Sequence, residues 1–81
     1  MNNKEKEILI EKEPIIGYWS LYGGVEVRKI EFGIVDRMWI KANAWYGKPS
    51  YRMVKIYYGD RDYIMFDGNK LYLDECIKEG I

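Results

Sequence analysis

Few side chains in this sequence could carry chemistry, and the most tempting are three aspartates. Asp60, Asp62 and Asp67 lie close together along the chain, and carboxylates alone can hold Mg²⁺ or Ca²⁺. Asp60 and Asp67, however, each stand beside a glycine, in turns where aspartate is favoured for hydrogen bonds to its own backbone. Their spacing also matches no calcium-binding loop. The sequence therefore predicts turns at these positions and no metal site.

The other usual catalytic groups are absent or isolated. The chain has no histidine, which removes the commonest general base at neutral pH and the usual zinc ligand. Cys76 is the single cysteine, with no imidazole to activate it, so a structural role is expected. No glycine-rich phosphate loop is present. We therefore expect a protein that is not an enzyme, with no catalytic residue and no cofactor.

A stretch from Ile34 to Tyr46 carries the strongest pattern in the chain, because its side chains alternate with the two-residue period of a β-strand. One set is Ile34, Met38, Ile40, Ala42 and Ala44, and the other is Val35, Arg37, Trp39, Lys41, Asn43 and Trp45. The second set is costly to leave in water, since one tryptophan hides more than ~150 Å² when packed. The pattern indicates a face that something covers.

Aromatic residues make up 16% of the chain, and several lie near lysine or arginine. Single-stranded nucleic acid grooves use this mixture to stack bases and hold phosphates, and protein-binding hot spots are enriched in the same residues. A third interpretation is that both faces of the sheet are covered, one by the core and the other by the amino-terminal segment with Ile15, Ile16, Tyr18, Trp19 and Leu21. The predicted binding residues are Arg37, Trp39, Lys41, Trp45, Arg52, Lys55 and Tyr57.

Net charge is zero, but the charges are unevenly distributed. Residues 28–58 hold seven basic side chains against two acidic ones, a balance of +5, whereas residues 62–81 hold five acidic against two basic, a balance of −3. Two interpretations stay open. Opposite charges could meet across neighbouring strands as exposed pairs, or the middle of the chain could present a basic face to an anionic partner.

Strands are predicted almost everywhere after Pro14, separated by glycine-rich turns. A change in the apolar phase within residues 25–32 predicts a bulge near Arg28 and Lys29. The turn residues at 47–50 predict that segments 37–46 and 51–58 pair as an antiparallel hairpin. Asp67-Gly68-Asn69 is a strong signal for another hairpin, and a helical turn is expected over Glu75–Lys78.

These elements predict an all-β fold: an antiparallel meander of five to six strands, curled into a small SH3-like barrel because closure removes exposed edges. Residues 1–13 form a charged amino-terminal segment, either a short helix capped by Asn2 and ended by Pro14 or an edge strand, and residues 14–81 form a single β domain. The predicted core comprises Ile30, Phe32, Met38, Ile40, Val54, Ile56, Ile64, Phe66, Leu71 and Leu73.

The expected location is the cytoplasm of a host cell, without membrane association. The run Ile8 to Ile10 is too short for a secretion signal, and no stretch approaches the ~20 apolar residues of a membrane span. A lone cysteine cannot form an internal disulfide, so a reducing compartment suits the chain. A homodimer is one possible assembly.

The second half of the chain resembles the small β-rich proteins carried by phages and prophages of AT-rich bacteria. The resemblance lies in Lys55-Ile56-Tyr57-Tyr58, Tyr63-Ile64-Met65-Phe66, Asp67-Gly68 and Leu71-Tyr72-Leu73-Asp74-Glu75. It implies a non-enzymatic accessory product that inhibits a host protein or ribonucleoprotein complex, as anti-CRISPR proteins do. It carries over no functional residue. Many such inhibitors are acidic mimics of DNA, and the basic middle of this chain argues against mimicry.

Overall fold

The computed structural model describes residues 3–43 and 48–78, and within them one helix precedes seven short strands. The elements are α1 (Asn3–Glu11), β1 (Gly17–Trp19), β2 (Val25–Glu31), β3 (Arg37–Ala42), β4 (Ser50–Lys55), β5 (Tyr63–Phe66), β6 (Asn69–Tyr72), a 3₁₀ turn (Leu73–Glu75) and β7 (Ile77–Lys78). The predicted helix cap, Asn2, and the side chains of Asn3 and Lys6 lie outside this description.

All strand pairs are antiparallel, as predicted. Strands β1 to β4 form a meander, and β7 returns to pair with β1, so one sheet has the order β4-β3-β2-β1-β7. Strands β5 and β6 form a separate hairpin. In the described part of the chain these pairings give an open sheet and a hairpin without closing a ring, so the SH3-like barrel stays a prediction.

The predicted bulge, the pairing of β3 with β4 and the Asp67-Gly68 turn are confirmed. The β2–β3 register shifts between Val27 and Lys29, at the predicted bulge. Strands β3 and β4 pair from Arg37 opposite Lys55 to Ala42 opposite Ser50. The β5–β6 turn places Asp67 at a φ of 48° and Gly68 at 81°, the left-handed conformation that Asp-Gly turns tolerate. Trp45 and the rest of the β3–β4 connection, residues 44–47, lie outside the described residues.

The core lies between the sheet and the β5–β6 hairpin. Six of the predicted core residues are buried there, namely Met38, Ile40, Ile56, Ile64, Phe66 and Leu71, and Ile30, Val54 and Leu73 pack against them. Four further residues are buried in this core although the sequence pattern did not predict it: Trp19, Val25, Val27 and Ala42. Trp19 donates its indole N–H to the Tyr72 carbonyl over 2.8 Å, which fastens the hairpin to the sheet.

Three sequence predictions are wrong. Phe32 is 77% exposed because β2 ends at Glu31 and the chain leaves the sheet there. Ile34 does not share a strand face with Met38, because β3 begins only at Arg37 and Ile34 lies in the loop before it. The helical turn expected over Glu75–Lys78 lies earlier, at Leu73–Glu75, because Ile77 pairs with Tyr18 and extends the sheet.

The amino-terminal segment forms a helix. Its lysines, glutamates and leucine are good helix formers, and Pro14 cannot continue the helix. Only one described side chain of α1 is deeply buried, Ile10 at 1% exposure, whereas Ile8 and Leu9 remain about half exposed. The helix contacts β2, β3 and β4, so Ile10 is the point at which α1 seats on the sheet.

Candidate functional site

The predicted aromatic and basic face is the outer face of strands β2 to β4, and α1 lies across part of it. The Lys41 ammonium is 2.6 Å from the Glu11 carboxylate, and the Tyr51 hydroxyl donates to the same oxygen over 2.6 Å. Lys41 and Tyr51 face one another across β3 and β4. This helix therefore takes the place that a ligand would otherwise occupy over Lys41.

Trp39 lies beside this contact and is half-buried. Its indole N–H donates to the Glu31 carboxylate on β2. A cleft of about 230 Å³ remains between the helix and the sheet, lined by Leu9, Ile10, Glu13, Lys29, Glu31 and Trp39. Part of the Trp39 ring is thus covered by the protein itself.

A buried charge cluster fixes the chain that follows α1. Arg28 is 8% exposed, and its guanidinium lies 2.6 Å from the Glu26 carboxylate. It also donates to the Glu13 carbonyl over 3.0 Å. Burial raises the pKa of Glu26, but the hydrogen bonds from Arg28 and Asn43 outweigh it, so the net pKa is below the ordinary value. The carboxylate stays charged and pairs with the buried Arg28 guanidinium.

Arg52 lies on the opposite face of the sheet from Trp39 and Lys41. It is opposite Ile40 in the register, on the core side, and its guanidinium stacks 4.6 Å from the centre of the Phe66 ring. It also pairs with Asp67 over 2.7 Å. Arg52 therefore joins β4 to the β5–β6 hairpin instead of contributing to the face that carries Trp39 and Lys41.

The loop between β2 and β3 holds the two most exposed large apolar residues of the described chain, Ile34 and Phe32. Ile34 is fully exposed, Phe32 is 77% exposed and Val35 is 42% exposed. Sequence reasoning missed this loop because Ile34 and Val35 fit the alternation of the following strand. The signal that could have found it is Gly33, which marks a turn inside an apolar run.

Asp36 holds this loop in place through three hydrogen bonds. Its carboxylate accepts from the Gly33 backbone over 3.0 Å and from the Tyr58 hydroxyl over 2.5 Å, and its carbonyl accepts from the Ile56 backbone over 2.9 Å. The bonds from Tyr58 and Gly33 lower the pKa of Asp36. The exposed loop is therefore fixed to Ile56 and Tyr58, the residues of the segment that follows β4.

Three predicted binding residues meet at the same end of the sheet. Arg37 and Lys55 are register partners at the ends of β3 and β4, and the Lys55 ammonium lies 5.0 Å from the centre of the Tyr57 ring. Arg37 and Lys55 form no ion pair with any described residue. We define the hairpin-tip patch as Phe32, Ile34, Val35, Arg37, Lys55 and Tyr57.

A row of tyrosines continues from this patch onto the β5–β6 hairpin. Tyr57 and Tyr63 stack with ring centres 5.2 Å apart, and Tyr63 meets Tyr72 edge-on at 6.2 Å. Lys70 lies 4.6 Å from the Tyr63 ring centre and Arg61 lies 3.7 Å from that of Tyr72. Each of the three tyrosine rings therefore has a lysine or arginine side chain close to its face.

Both interpretations of the uneven charge apply to part of the chain. Within the central basic stretch, Arg28, Lys41 and Arg52 each pair with a carboxylate. The acidic end also finds a cation, since Arg61 binds Asp74 at 2.6 Å and Glu75 at 2.8 Å. Arg37 and Lys55, at the hairpin tip, are among the cations without a described carboxylate partner.

Comparison with known proteins adds no relative: no family model, no curated protein and no solved structure matches the chain. The described residues hold no group of three or more metal-ligating side chains placed around one point. None of their helices has the length and apolarity that crossing a membrane requires.

Proposed function

We propose that this chain is a small non-enzymatic binding protein that engages a protein partner through the hairpin-tip patch. The observation that carries the proposal is a fully exposed isoleucine, Ile34, on a loop that Asp36 braces by three hydrogen bonds. Burying an exposed isoleucine against a partner is worth roughly 1.5–3 kcal/mol. A braced loop loses little freedom on binding, so more of that free energy appears as affinity.

The flanking side chains indicate the partner's surface. Arginine and tyrosine are enriched at hot spots, and Arg37 and Tyr57 border the apolar loop. Lys55 and Arg37 lack a carboxylate partner in the described structure, so a partner would gain by supplying one to each. The expected partner surface is an apolar hollow with acidic residues at its rim.

The biological setting follows the resemblance to proteins of phages and prophages. Within this proposal the chain inhibits a host defence complex, or another macromolecular complex, in the host cytoplasm. For the fold, we also propose a partly closed SH3-like barrel, in which the β5–β6 hairpin packs against the open five-stranded sheet. The support is the antiparallel meander of β1 to β4.

The test is capture of partners from a host lysate by the tagged chain. Ile34→Asp should abolish capture, because it places a charge where the apolar contact is proposed. Ile8→Asp is the matched control, since it makes the same change at a half-exposed position on α1. A third variant, Trp39→Ala with Lys41→Ala, tests the outer face of the sheet. Equal recovery by Ile34→Asp and the wild type would disprove the tip interface.

Direct binding of single-stranded nucleic acid is the second candidate, and the tyrosine row favours it. Tyr57, Tyr63 and Tyr72 are each accompanied by a cation, an arrangement in which rings stack on bases while lysine or arginine holds phosphate. Arg61 is already neutralised by Asp74 and Glu75, which weakens the far end of the row. The usable part is therefore Tyr57, Tyr63, Lys55 and Lys70.

A further inference from the structure

Strand β4 is an edge strand of the five-stranded sheet, and its peptide groups alternate in direction. The Ile56 backbone N–H donates to the Asp36 carbonyl over 2.9 Å, which makes these two residues a hydrogen-bonded pair of the ladder. Bonded and non-bonded pairs alternate in an antiparallel ladder, so the peptide groups of Val54 and Arg52 point toward β3. Those of Tyr51, Met53 and Lys55 point away from the sheet.

No described residue supplies a backbone partner to these outward groups, since β4 pairs with β3 alone. Arg52 contacts the β5–β6 hairpin through its side chain, which lies on the core face. Met53, at the centre of the edge, is 39% exposed. The edge at the other end of the sheet, β7, has two residues in the described part of the chain. The longer open edge of this sheet is therefore β4.

We propose that the β4 edge binds an acidic peptide segment of the partner in extended conformation, as an added strand. Main-chain hydrogen bonds to Tyr51, Met53 and Lys55 would supply affinity, and alternate side chains would supply specificity. The inference rests on the proposed protein-binding function, and it specifies how a partner segment is held.

Charge favours an acidic occupant for this edge. β4 carries no acidic residue, and Lys55 is its cation that remains available to an acid, because Arg52 lies on the core face and already pairs with Asp67. Lys55 has no carboxylate partner among the described residues, and an acid placed opposite it would supply one. Met53 lies two positions away on the same face, where the added strand would present an apolar residue.

The Lys55 side chain connects the edge to the hairpin-tip patch. It is a member of that patch and also the last residue of β4. A segment added to β4 would end at Lys55, because the next outward residue, Tyr57, already pairs with Tyr63. One partner could use this edge and reach the patch through Lys55. The two sites remain separable, because the edge binds through backbone groups and the tip through side chains.

The test uses nuclear magnetic resonance of the full chain with a blocked eight-residue peptide that alternates valine and glutamate. The amide signals of Tyr51, Met53 and Lys55 should shift, and their hydrogen exchange should slow at least tenfold at saturation. Those of Arg52 and Val54 should be protected already in the free protein. A peptide with lysine in place of glutamate should bind at least tenfold more weakly, and N-methylation of alternate peptide bonds should abolish binding.

A protein variant checks the same edge from the other side. Met53→Pro removes one outward N–H, which edge strands tolerate, and Met53→Ala is the matched control that keeps it. Binding should be at least fivefold weaker in Met53→Pro than in Met53→Ala. The N-methylated peptide keeps the test decisive if the proline variant does not fold.

Several results would overturn the inference. Equal binding of the lysine peptide would remove the charge argument, and signal changes confined to residues 32–37 would place the peptide at the tip. Protection of the edge amides that grows with protein concentration, without peptide, would assign the edge to a second copy. Failure here is distinguishable from failure of the proposed function, because Ile34→Asp should lose partner capture yet still bind the peptide.

Discussion

The Lys41 ammonium lies 2.6 Å from the Glu11 carboxylate, which ties the centre of the aromatic and basic face to the amino-terminal helix. Tyr51 donates to the same carboxylate from the neighbouring strand. One helical residue thus satisfies two side chains that, in sequence, look available to a ligand. Part of the outer face of the sheet is covered from within the chain, and the described members of the binding set that remain exposed are Arg37, Lys55 and Tyr57.

Replacing Glu11 with glutamine should lower stability at neutral pH and leave it unchanged in acid. The hydrogen bonds from Lys41 and Tyr51 hold the pKa of Glu11 below its ordinary value of 4.5. A carboxyl whose pKa is lowered by folding contributes stability above that ordinary value and loses it as the pH falls through the folded value. The Glu11 side chain is 40% exposed, so solvent screens the pair and the loss should be about 0.2–1 kcal/mol.

The measurement for Glu11 is urea unfolding at a series of pH values from 7 downward. Glu13→Gln is the control, since the contact described for Glu13 uses its backbone carbonyl. A constant difference between Glu11→Gln and the wild type at every pH would show that the carboxylate charge plays no part.

Ile10 should act as the anchor of α1. Ile10→Asp places a charge at a position that is 1% exposed, so the helix should leave the sheet and expose Trp39. The expected result is a large shift of the Trp39 indole N–H signal and faster exchange of that proton. Ile8→Asp, at a half-exposed position on the same helix, should change neither. An unaltered Trp39 signal in Ile10→Asp would mean that α1 does not cover the ring.

Local patterns in the sequence predicted much of the fold. The β3–β4 pairing, the bulge after Val27 and the Asp67-Gly68 turn depend on neighbouring residues, so each leaves a signature in the chain. The return of Ile77 to pair with Tyr18 depends on contacts between distant segments and left no such signature.

The candidate site was harder to predict than the fold. Alternation places Trp39 and Lys41 on one face, but it cannot show that Glu11, thirty residues away in sequence, covers that face. Likewise, Ile34 fits the apolar alternation of β3 in the sequence. The structure shows that β3 begins only at Arg37, which leaves Ile34 in a loop. The burial of a sheet face by a distant segment and the position at which a strand begins both depend on tertiary contacts.

The stability of the chain should depend on Ile40 and be indifferent to Ile34. Ile40 is fully buried in the core cluster, so Ile40→Ala should cost about 2–5 kcal/mol, a large share of the stability of a small domain. Ile34 is fully exposed, and Ile34→Ala should change the free energy of unfolding by less than about 0.5 kcal/mol. Chemical denaturation of both variants measures the difference, and similar losses would contradict the placement of the loop.

Removing the Tyr58 hydroxyl should raise the pKa of Asp36. The Tyr58 hydrogen bond is the first cause of the lowered pKa, with the Gly33 backbone bond second. In Tyr58→Phe the pKa of Asp36 should therefore rise toward its ordinary value of 3.8, while the Gly33 bond keeps it from returning fully. Carboxyl chemical shifts followed through an acid titration report the value. No change in Tyr58→Phe would mean that Tyr58 does not brace the hairpin tip.

If the tyrosine row binds single-stranded nucleic acid, affinity should fall with salt in proportion to the cations used. Two contacts, from Lys55 and Lys70, would give a log–log slope of about −1.4, since each phosphate neutralised on a single strand contributes roughly 0.7. Lys55→Gln should make the slope shallower by about 0.7. Tyr57→Ala should remove ~1–3 kcal/mol of stacking and leave the slope unchanged, because it alters no charge. Fluorescence anisotropy of a labelled oligothymidylate at two salt concentrations measures both effects. Absence of binding at low salt would eliminate nucleic acid and leave a protein partner as the ligand of this surface.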